Sequence, residues 1–357
     1  MNIQSIDYPI YFGSNGYEEL IHFINEKKYS KTIVLVDENT AQNCLNSFLS
    51  LLAIETEIEV IEIEAGEQSK DLSTCNQLWE SLIELNIDRK ALLISLGGGV
   101  VCDIGGFIAA TYKRGIDCVH IPTSLLAMVD ASVGGKNGID FNGLKNIIGT
   151  FYNPKMILID VNFLETLPGN EMRSGLAEMY KHGLIADVSY WNQLKNLDQL
   201  TTEDLELLIY HSVSIKNEIV LSDPKEKNQR KLLNFGHTIG HAIESYSWQN
   251  NELTPLLHGE AIAIGMIIES YLSYKKGLIS KEKYHEVKEV LHSMYPPIDF
   301  NEKDIASCIE LLSYDKKNEQ GEILFTLLED LGKGIVNQTV ENQWIVEGFE
   351  EYVVTHH

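Results

Sequence analysis

Long apolar runs are missing from this chain, and basic residues are scarce. No stretch of about 18 apolar residues occurs, which argues against a membrane-spanning helix. The opening MNIQSIDYPIYFG lacks the basic stretch and apolar block of a secretory signal. The five cysteines, at 44, 75, 102, 118 and 308, are odd in number and form no CxxC pair. They read as reduced thiols of a cytoplasmic protein rather than a disulfide framework. Against 52 Asp and Glu stand only 28 Lys and Arg, a formal net charge of −24. Nucleic acid and anionic membranes would both repel such a chain, so neither is expected as a partner. Repeats and low-complexity linkers are also absent, and the closing His356-His357 is given no role. Where basic residues do gather beside glycine-rich or apolar motifs, they mark an anion site.

What is present is ordinary globular composition, 44% hydrophobic and 22% charged, over 357 residues, enough for about two domains. Thr32 to Val36, Glu57 to Glu64, Ala91 to Ser95, Cys118 to Pro122 and Met156 to Asp160 are short runs rich in Ile, Val and Leu. ALLIS is continuously apolar, as a parallel strand covered on both faces requires. Between these runs, Leu72, Cys75, Trp79 and Leu82 fall on one helical stripe. From about Leu164 the period becomes helical. Leu208, Ser212, Ile215 and Ile219 share a face behind a cap at Thr201 or Thr202, and Asp223 to Arg230 reads as a charged loop. The expected fold is an α/β nucleotide-binding domain over 1–162, a variant Rossmann-like parallel sheet. A mostly α-helical metal- and substrate-binding domain follows over 163–357, with the site in a cleft between them.

Two clusters carry chemistry. Ser95-Leu96-Gly97-Gly98-Gly99-Val100-Val101 leaves a strand and enters a helix, the place where glycines let backbone N–H groups approach a diphosphate. The spacing nearly matches G-x-G-x-x-G, but Cys102 stands at the third glycine. That glycine normally permits close helix–strand packing, so a slight displacement is expected. No acidic residue follows at the usual distance, and Asp37, ending VLVDENT, is the better ribose candidate. The second cluster is polar residues on apolar, glycine-flanked helices. His237 and His241 lie four apart on one face, His258-Gly259-Glu260 starts another helix, and Ala177-Glu178-Met179-Tyr180-Lys181 opens a third after Pro168-Gly169. Any one of these histidines alone would read as a core donor to a backbone carbonyl. Together they would be satisfied by a divalent cation with one position left open. Spacing does not choose between His237 and His241, and His182 competes because it shares a face with Glu178.

GGGVVCDIGGFIAATYKRG, IPTSLLAMVDASVGGKNG, LKNIIGTFYNP, SGLAEMYKHG, LLNFGHTIGHAIE and LLHGEAIAIGM together resemble the 3-dehydroquinate synthase family, within the sugar phosphate cyclases, in order and spacing over most of positions 30 to 325. The resemblance implies that Glu178, His237 and His258 hold a metal, zinc or alternatively cobalt. It sets His241 beside the substrate and leaves His182 to surface or packing. It implies NAD against Asp37, Asn39, Glu67, Lys70, Gly98, Gly99, Val100, Asp103, Thr123, Ser124, Phe163 and Thr166. It further implies substrate held by Arg114, Asp130, Lys136, Lys145, Asn146, Lys181, Lys216, Arg230, Asn234, His241 and one of Lys316 and Lys317.

The implied substrate is a seven-carbon keto sugar acid phosphate, and so many cations in an acidic chain suit its two anionic groups. Lys136, Asn146, Asn234 and the Lys316-Lys317 pair would take the phosphate, and Lys216 and Arg230 the carboxylate. Asp130 would orient substrate hydroxyls, and a capping role is its plainer alternative. His241 and Asn234 are candidates for proton relay. The implied reaction oxidises an alcohol, expels phosphate, reduces the ketone again and closes a carbocycle, giving 3-dehydroquinate for the shikimate pathway and returning NAD unchanged. Arg114 would reach the neighbouring subunit's site in a homodimer. Cys102, Ser124 and Asn137 depart from the family pattern without removing a charged or metal-binding group. Another sugar phosphate cyclase, an NAD-dependent polyol dehydrogenase, or a catalytically silent binding protein are the competing readings. Lys216 with Arg230 argues against the first of these, and Glu178 in the first ligand position against the second.

Overall fold

The apolar run ALLIS becomes a strand buried along its length, inside a seven-stranded sheet. The computed structural model describes residues 1–142, 144–197, 201–250, 254–312 and 323–353. The chain forms two compact units, residues 1–168 with 201–217, and residues 169–200 with 218–357. A boundary after 162, drawn where the sequence period changes, falls short of this edge. The turn Val161–Thr166 buries Phe163 and Leu164, and residues 201–217 cluster with the first unit.

The first unit runs β1 (Asn2–Gln4), β2 (Pro9–Phe12), α1 (Asn15–Lys27), β3 (Thr32–Asp37), α2 (Glu38–Asn43), α3 (Leu45–Leu51) and β4 (Ile58–Ile63). It continues with α4 (Leu72–Glu84), β5 (Leu92–Gly97), α5 (Gly99–Thr111), β6 (Asp117–Pro122), a hairpin of β7 (Lys136–Phe141) and β8 (Leu144–Phe151), and β9 (Met156–Ile159). The sheet order is β1-β2-β9-β6-β5-β3-β4, parallel throughout except β1 against β2. From β3 the chain steps outward to β4, then crosses back to β5 on the other side of β3. Winding therefore reverses between β3 and β5, and a crevice opens at their carboxyl ends.

On one face of this sheet, Ile33, Leu35 and Leu93 pack with Leu78 and Leu82 of α4 and Ile104 and Ile108 of α5. The buried stripe of α4 is Cys75, Leu78 and Leu82, while Leu72 is exposed. Asp71 caps that helix by accepting from the Thr74 N–H, which leaves Leu72 at its outer rim. Close helix–strand packing occurs at Gly105 rather than at Cys102. A Cβ on Gly105 would lie 2.0 Å from Ser95 Oγ, so the contact has moved one turn along α5. Cys102 is buried with Sγ 3.7 Å from the Gly97 carbonyl.

The second unit holds α6 (Gly169–Ala186), α7 (Val188–Leu194) and the end of α8 (Thr202–Ser222), whose residues up to Asn217 belong to the first unit. It also holds α9 (His237–Gln249), α10 (His258–Lys275), α11 (Lys281–Met294), α12 (Glu302–Leu312), an antiparallel hairpin of β10 (Phe325–Asp330) and β11 (Lys333–Gln338), and α13 (Asn342–Val353). Thr201 starts α8 as expected, exchanging hydrogen bonds with Asp204. Glycines bring α9 and α10 into backbone contact: a Cβ on Gly265 would lie 2.0 Å from the Gly236 carbonyl oxygen. Gly236 itself has φ +79, and it gives α9 no side-chain cap. Glu269 of α10 supplies one. Its fully buried carboxylate accepts from the N–H groups of Gly236 at 2.6 Å and Ile239 at 3.1 Å, satisfying orphan donors at the positive end of the helix.

All five cysteines are free and buried. Burial, helped by nearby acidic groups, pushes the thiol of Cys44 up to about 11 and those of Cys75, Cys118 and Cys308 up to about 12. Among the described residues no helix is long and apolar enough to cross a membrane.

Candidate functional site

In the first unit, the residues expected to meet NAD follow the carboxyl ends of the parallel strands. Asp37 ends β3, Glu67 and Lys70 lie in the turn after β4, and Gly98 to Val100 open α5 after β5. Thr123 and Ser124 follow β6, and Phe163 and Thr166 lie in the turn after β9. Asp37 and the glycine turn thus flank the point where winding reverses, the position at which open α/β sheets take ligands. Asp37 also caps α2, its Oδ1 accepting from the Thr40 N–H at 2.8 Å, and Asn39 stands exposed in that helix. A Cβ on Gly98 would meet Ser124 Oγ at 3.5 Å, so serine leaves that turn uncrowded.

The buried lysines of this unit that bear on the site are already paired. Lys70 is buried with Nζ 2.5 Å from Asp103 Oδ2. Burial opposes its charge, but Asp103 and Glu67 outweigh it and raise the pKa, so Lys70 is an ammonium. Lys216, also buried, reaches Asp130 Oδ1 at 2.6 Å and the Asp130 carbonyl at 2.5 Å. Asp130 lies in a π-helical turn, Ala127–Ala131, and does not cap a helix there. Lys145 lies 3.4 Å from Glu67, and the Asn146 N–H donates to Asp140 Oδ1 at 2.7 Å. Lys136 and Arg114 are exposed, and Lys316 and Lys317 lie outside the described residues.

In the second unit, Glu178 is mid-helix in α6 and fully buried. The helix starts at Gly169, before the stretch from Ala177 that the sequence suggested. Each facing histidine begins a helix, His237 in α9 and His258 in α10. Their Nε2 atoms face Glu178 Oε1 at 3.6 and 3.8 Å. His237 Nδ1 lies 3.1 Å from the Phe235 carbonyl, which can only accept, so Nδ1 carries the proton. In the neutral ring, the form that binds a metal, the Nε2 lone pair then faces Glu178.

Both Glu178 oxygens are buried without a hydrogen-bond partner, although the Lys181 ammonium presses against Oε2. One lysine thus meets Oε2, and Oε1 is left to the two imidazoles. A divalent cation fits the three donors. Ligand distances of about 2.0–2.1 Å at tetrahedral angles set donor atoms roughly 3.3 Å apart, a few tenths below the two distances here. These three residues form one group able to hold a metal ion. His241 follows one turn after His237, its ring centroid 5.2 Å from that ring and 5.8 Å from His258. His182 is fully buried in α6, so it is not a surface residue.

Sequence reasoning missed two carboxylates. Glu244 is buried in α9, with Oε2 3.4 Å from His258 Nδ1. The signal was present, since His237, His241 and Glu244 follow helical spacing on one face. Glu226, in the charged loop, accepts from Asn234 Nδ2 at 3.2 Å. That loop is fastened by Asp223, which accepts from the N–H groups of Lys227, Asn228 and Arg230. Arg230 is buried and donates through Nη1 to the Pro224 carbonyl at 2.9 Å.

Residues 60–174 match the family model of the 3-dehydroquinate synthase N-terminal region, and 175–318 that of the C-terminal region. A protein of Parabacteroides distasonis named 3-dehydroquinate synthase is 43% identical over 336 residues, covering 94% of each chain. The chain belongs to the 3-dehydroquinate synthase family. Among solved structures, a 2-deoxy-scyllo-inosose synthase complexed with carbaglucose-6-phosphate, NAD+ and Co2+ is similar with TM-score 0.85 and 24% identity, covering 98% of this chain and 100% of that one. A 2-epi-5-epi-valiolone synthase from Streptomyces hygroscopicus subsp. jinggangensis 5008, with NAD+ and Zn2+ bound, gives 0.86 and 25%, covering 98% of each. The expected fold is therefore the family's own: a parallel-dominated sheet followed by helices.

Proposed function

We propose that this chain is a 3-dehydroquinate synthase, a carbon–oxygen lyase. It converts 3-deoxy-D-arabino-heptulosonate 7-phosphate to 3-dehydroquinate and phosphate in the shikimate pathway, the route to aromatic amino acids. The observation that carries this reading is Glu178, a buried carboxylate met by the Nε2 atoms of two imidazoles from separate helices. When bound, a divalent metal, zinc or cobalt, supplies Lewis acidity to the substrate hydroxyls, and NAD supplies a reversible hydride acceptor.

The chain's own residues do the rest. The glycine turn at Gly98, Gly99 and Val100 offers backbone N–H groups to the diphosphate, with Asp37 and Asn39 for a ribose. Glu67, Lys70, Asp103, Thr123, Ser124, Phe163 and Thr166 complete the cofactor's surroundings. Lys136 and Asn146 take the phosphate, with Asn234 and one of Lys316 and Lys317, and Lys145 also holds the substrate. Lys216, Arg230 and Lys181 balance the carboxylate and the charge that develops as the alcohol is oxidised. Asp130 orients hydroxyls, and His241 moves a proton. Arg114 serves the partner subunit's site in a homodimer, a reading supported by the exposed apolar side chains Phe141, Leu144, Ile147, Ile148 and Phe151 on the β7–β8 hairpin. The five free thiols suit the cytoplasm.

The test is release of inorganic phosphate from the keto acid phosphate with catalytic NAD. Chelation should abolish turnover, and added zinc or cobalt should restore it. Full activity without metal would overturn the reading. Net NADH accumulation would point instead to a dehydrogenase.

A further inference from the structure

The imidazoles of His237 and His258 are held from behind by different groups. Behind His237 stands a backbone carbonyl, that of Phe235, fixed by the turn that opens α9. Behind His258 stands Glu244, a side chain carried on α9 two turns after His237. Glu244 is 2% exposed, so its carboxylate is placed where water cannot readily solvate it. His258 is the first residue of α10, and its ring has Nδ1 toward Glu244 Oε2 and Nε2 toward Glu178 Oε1. The ring is thus strung between two buried carboxylates.

We propose that Glu244 is a positioning residue that fixes the tautomer and rotation of His258 and thereby sets how tightly the second unit holds its metal. An ionised carboxylate can only accept, so the proton of His258 stays on Nδ1 and the Nε2 lone pair is delivered to the ion. A carboxylate behind an imidazole also makes the ring a stronger donor than a neutral carbonyl does, and such partners influence affinity tenfold to a hundredfold. His237 needs no such side chain, because its carbonyl comes with the backbone. Carrying Glu244 and His237 on the same helix ties the two imidazoles together, so a shift of α9 along α10 would disturb both ligands at once. The proposal rests on the reading of Glu178, His237 and His258 as the ligand set.

The experiment titrates Co2+ into metal-free full-length protein against a chromophoric chelator and records the visible absorption of the bound ion. In Glu244→Gln, Co2+ affinity should fall tenfold to a hundredfold and the absorption should change. The unfolding temperature of the metal-free protein should stay within a few degrees of the parent. Affinity within twofold of the parent with an unchanged spectrum overturns the proposal. So does a parent that binds two ions per chain and a variant that binds one, since Glu244, which groups with His241 and His258 closely enough to hold an ion, would then be a ligand itself. If Glu244→Gln does not fold, Glu244→Asp keeps the charge and shortens its reach, and the same loss of affinity is expected. His258→Ala is the control: if it binds Co2+ as the parent does, the ligand set is wrong, and a failure confined to Glu244→Gln leaves that set intact.

Discussion

At the carboxyl edge of the sheet, the buried lysines arrive with partners: Lys70 has Asp103 at 2.5 Å and Lys216 has Asp130 at 2.6 Å. In the helical unit, buried Glu178 has the Lys181 ammonium against Oε2 and two imidazole nitrogens 3.6 and 3.8 Å from Oε1. His237 and His258 each have an acceptor beside Nδ1, whereas His120 of β6 is buried with its Nδ1 unpartnered. Charge paired in advance can be exchanged for that of a ligand at modest cost. Glu178, with an ammonium at one oxygen and two imidazoles at the other, belongs to a donor group that can take a cation from outside the chain. The first arrangement suits reversible traffic of anions, the second a resident ion.

The sharpest way to break this comparison is at the glycines. Gly265→Ala drives a Cβ into the Gly236 carbonyl, a backbone atom, while Gly105→Ala meets the Ser95 hydroxyl, which can rotate away. Overpacking costs roughly 1–3 kcal/mol and occasionally more. Gly265→Ala should reach or pass the upper end and lose its metal, and Gly105→Ala should stay near the lower end. Urea unfolding of both variants measures the difference, and equal losses would erase the distinction.

His120 gives the next effect. Burial lowers its pKa from 6.5 to about 4. Between those values the unfolded chain binds a proton that the folded chain refuses. Stability is therefore full above pH 6.5 and falls as the pH drops toward 4, by about 3 kcal/mol for this one group. In His120→Gln this component should vanish, which unfolding curves at pH 7 and pH 4.5 would detect. A parent and variant with identical pH dependence would refute it.

Lys136→Ala tests the anion traffic itself. One charge-assisted contact is worth about 1.5–3 kcal/mol, so kcat/KM for the phosphorylated substrate should fall more than tenfold with metal affinity unaltered. Unchanged kinetics would remove Lys136 from the site.

Much of this was readable beforehand because it depends on local pattern. Continuous apolar runs gave the parallel strands, and the positions where those runs stop placed Asp37, Gly98 and Thr123 together at one edge. Helical spacing placed His237 and His241 on a common face. What escaped depends on distant segments meeting. Cys102 could stand in the glycine fingerprint because Gly105, one turn on, makes the close approach to Ser95. Glu269 reads as one more polar residue in an apolar helix, since nothing local reveals that Gly236 lacks a cap. Glu244 lay on a predicted face but could not be paired with His258, because the two belong to different helices. The helix bearing Glu178 also began earlier than its motif suggested.

The buried cysteines have a practical consequence. With four thiols held near 11 or 12 and Cys102 shifted upward as well, almost no thiolate exists at neutral pH while the fold is closed. An alkylating reagent would therefore act as a stopwatch for opening of the molecule. The order in which Cys75 and Cys118 of the sheet unit and Cys308 of the helical unit become labelled would reveal which half lets go first.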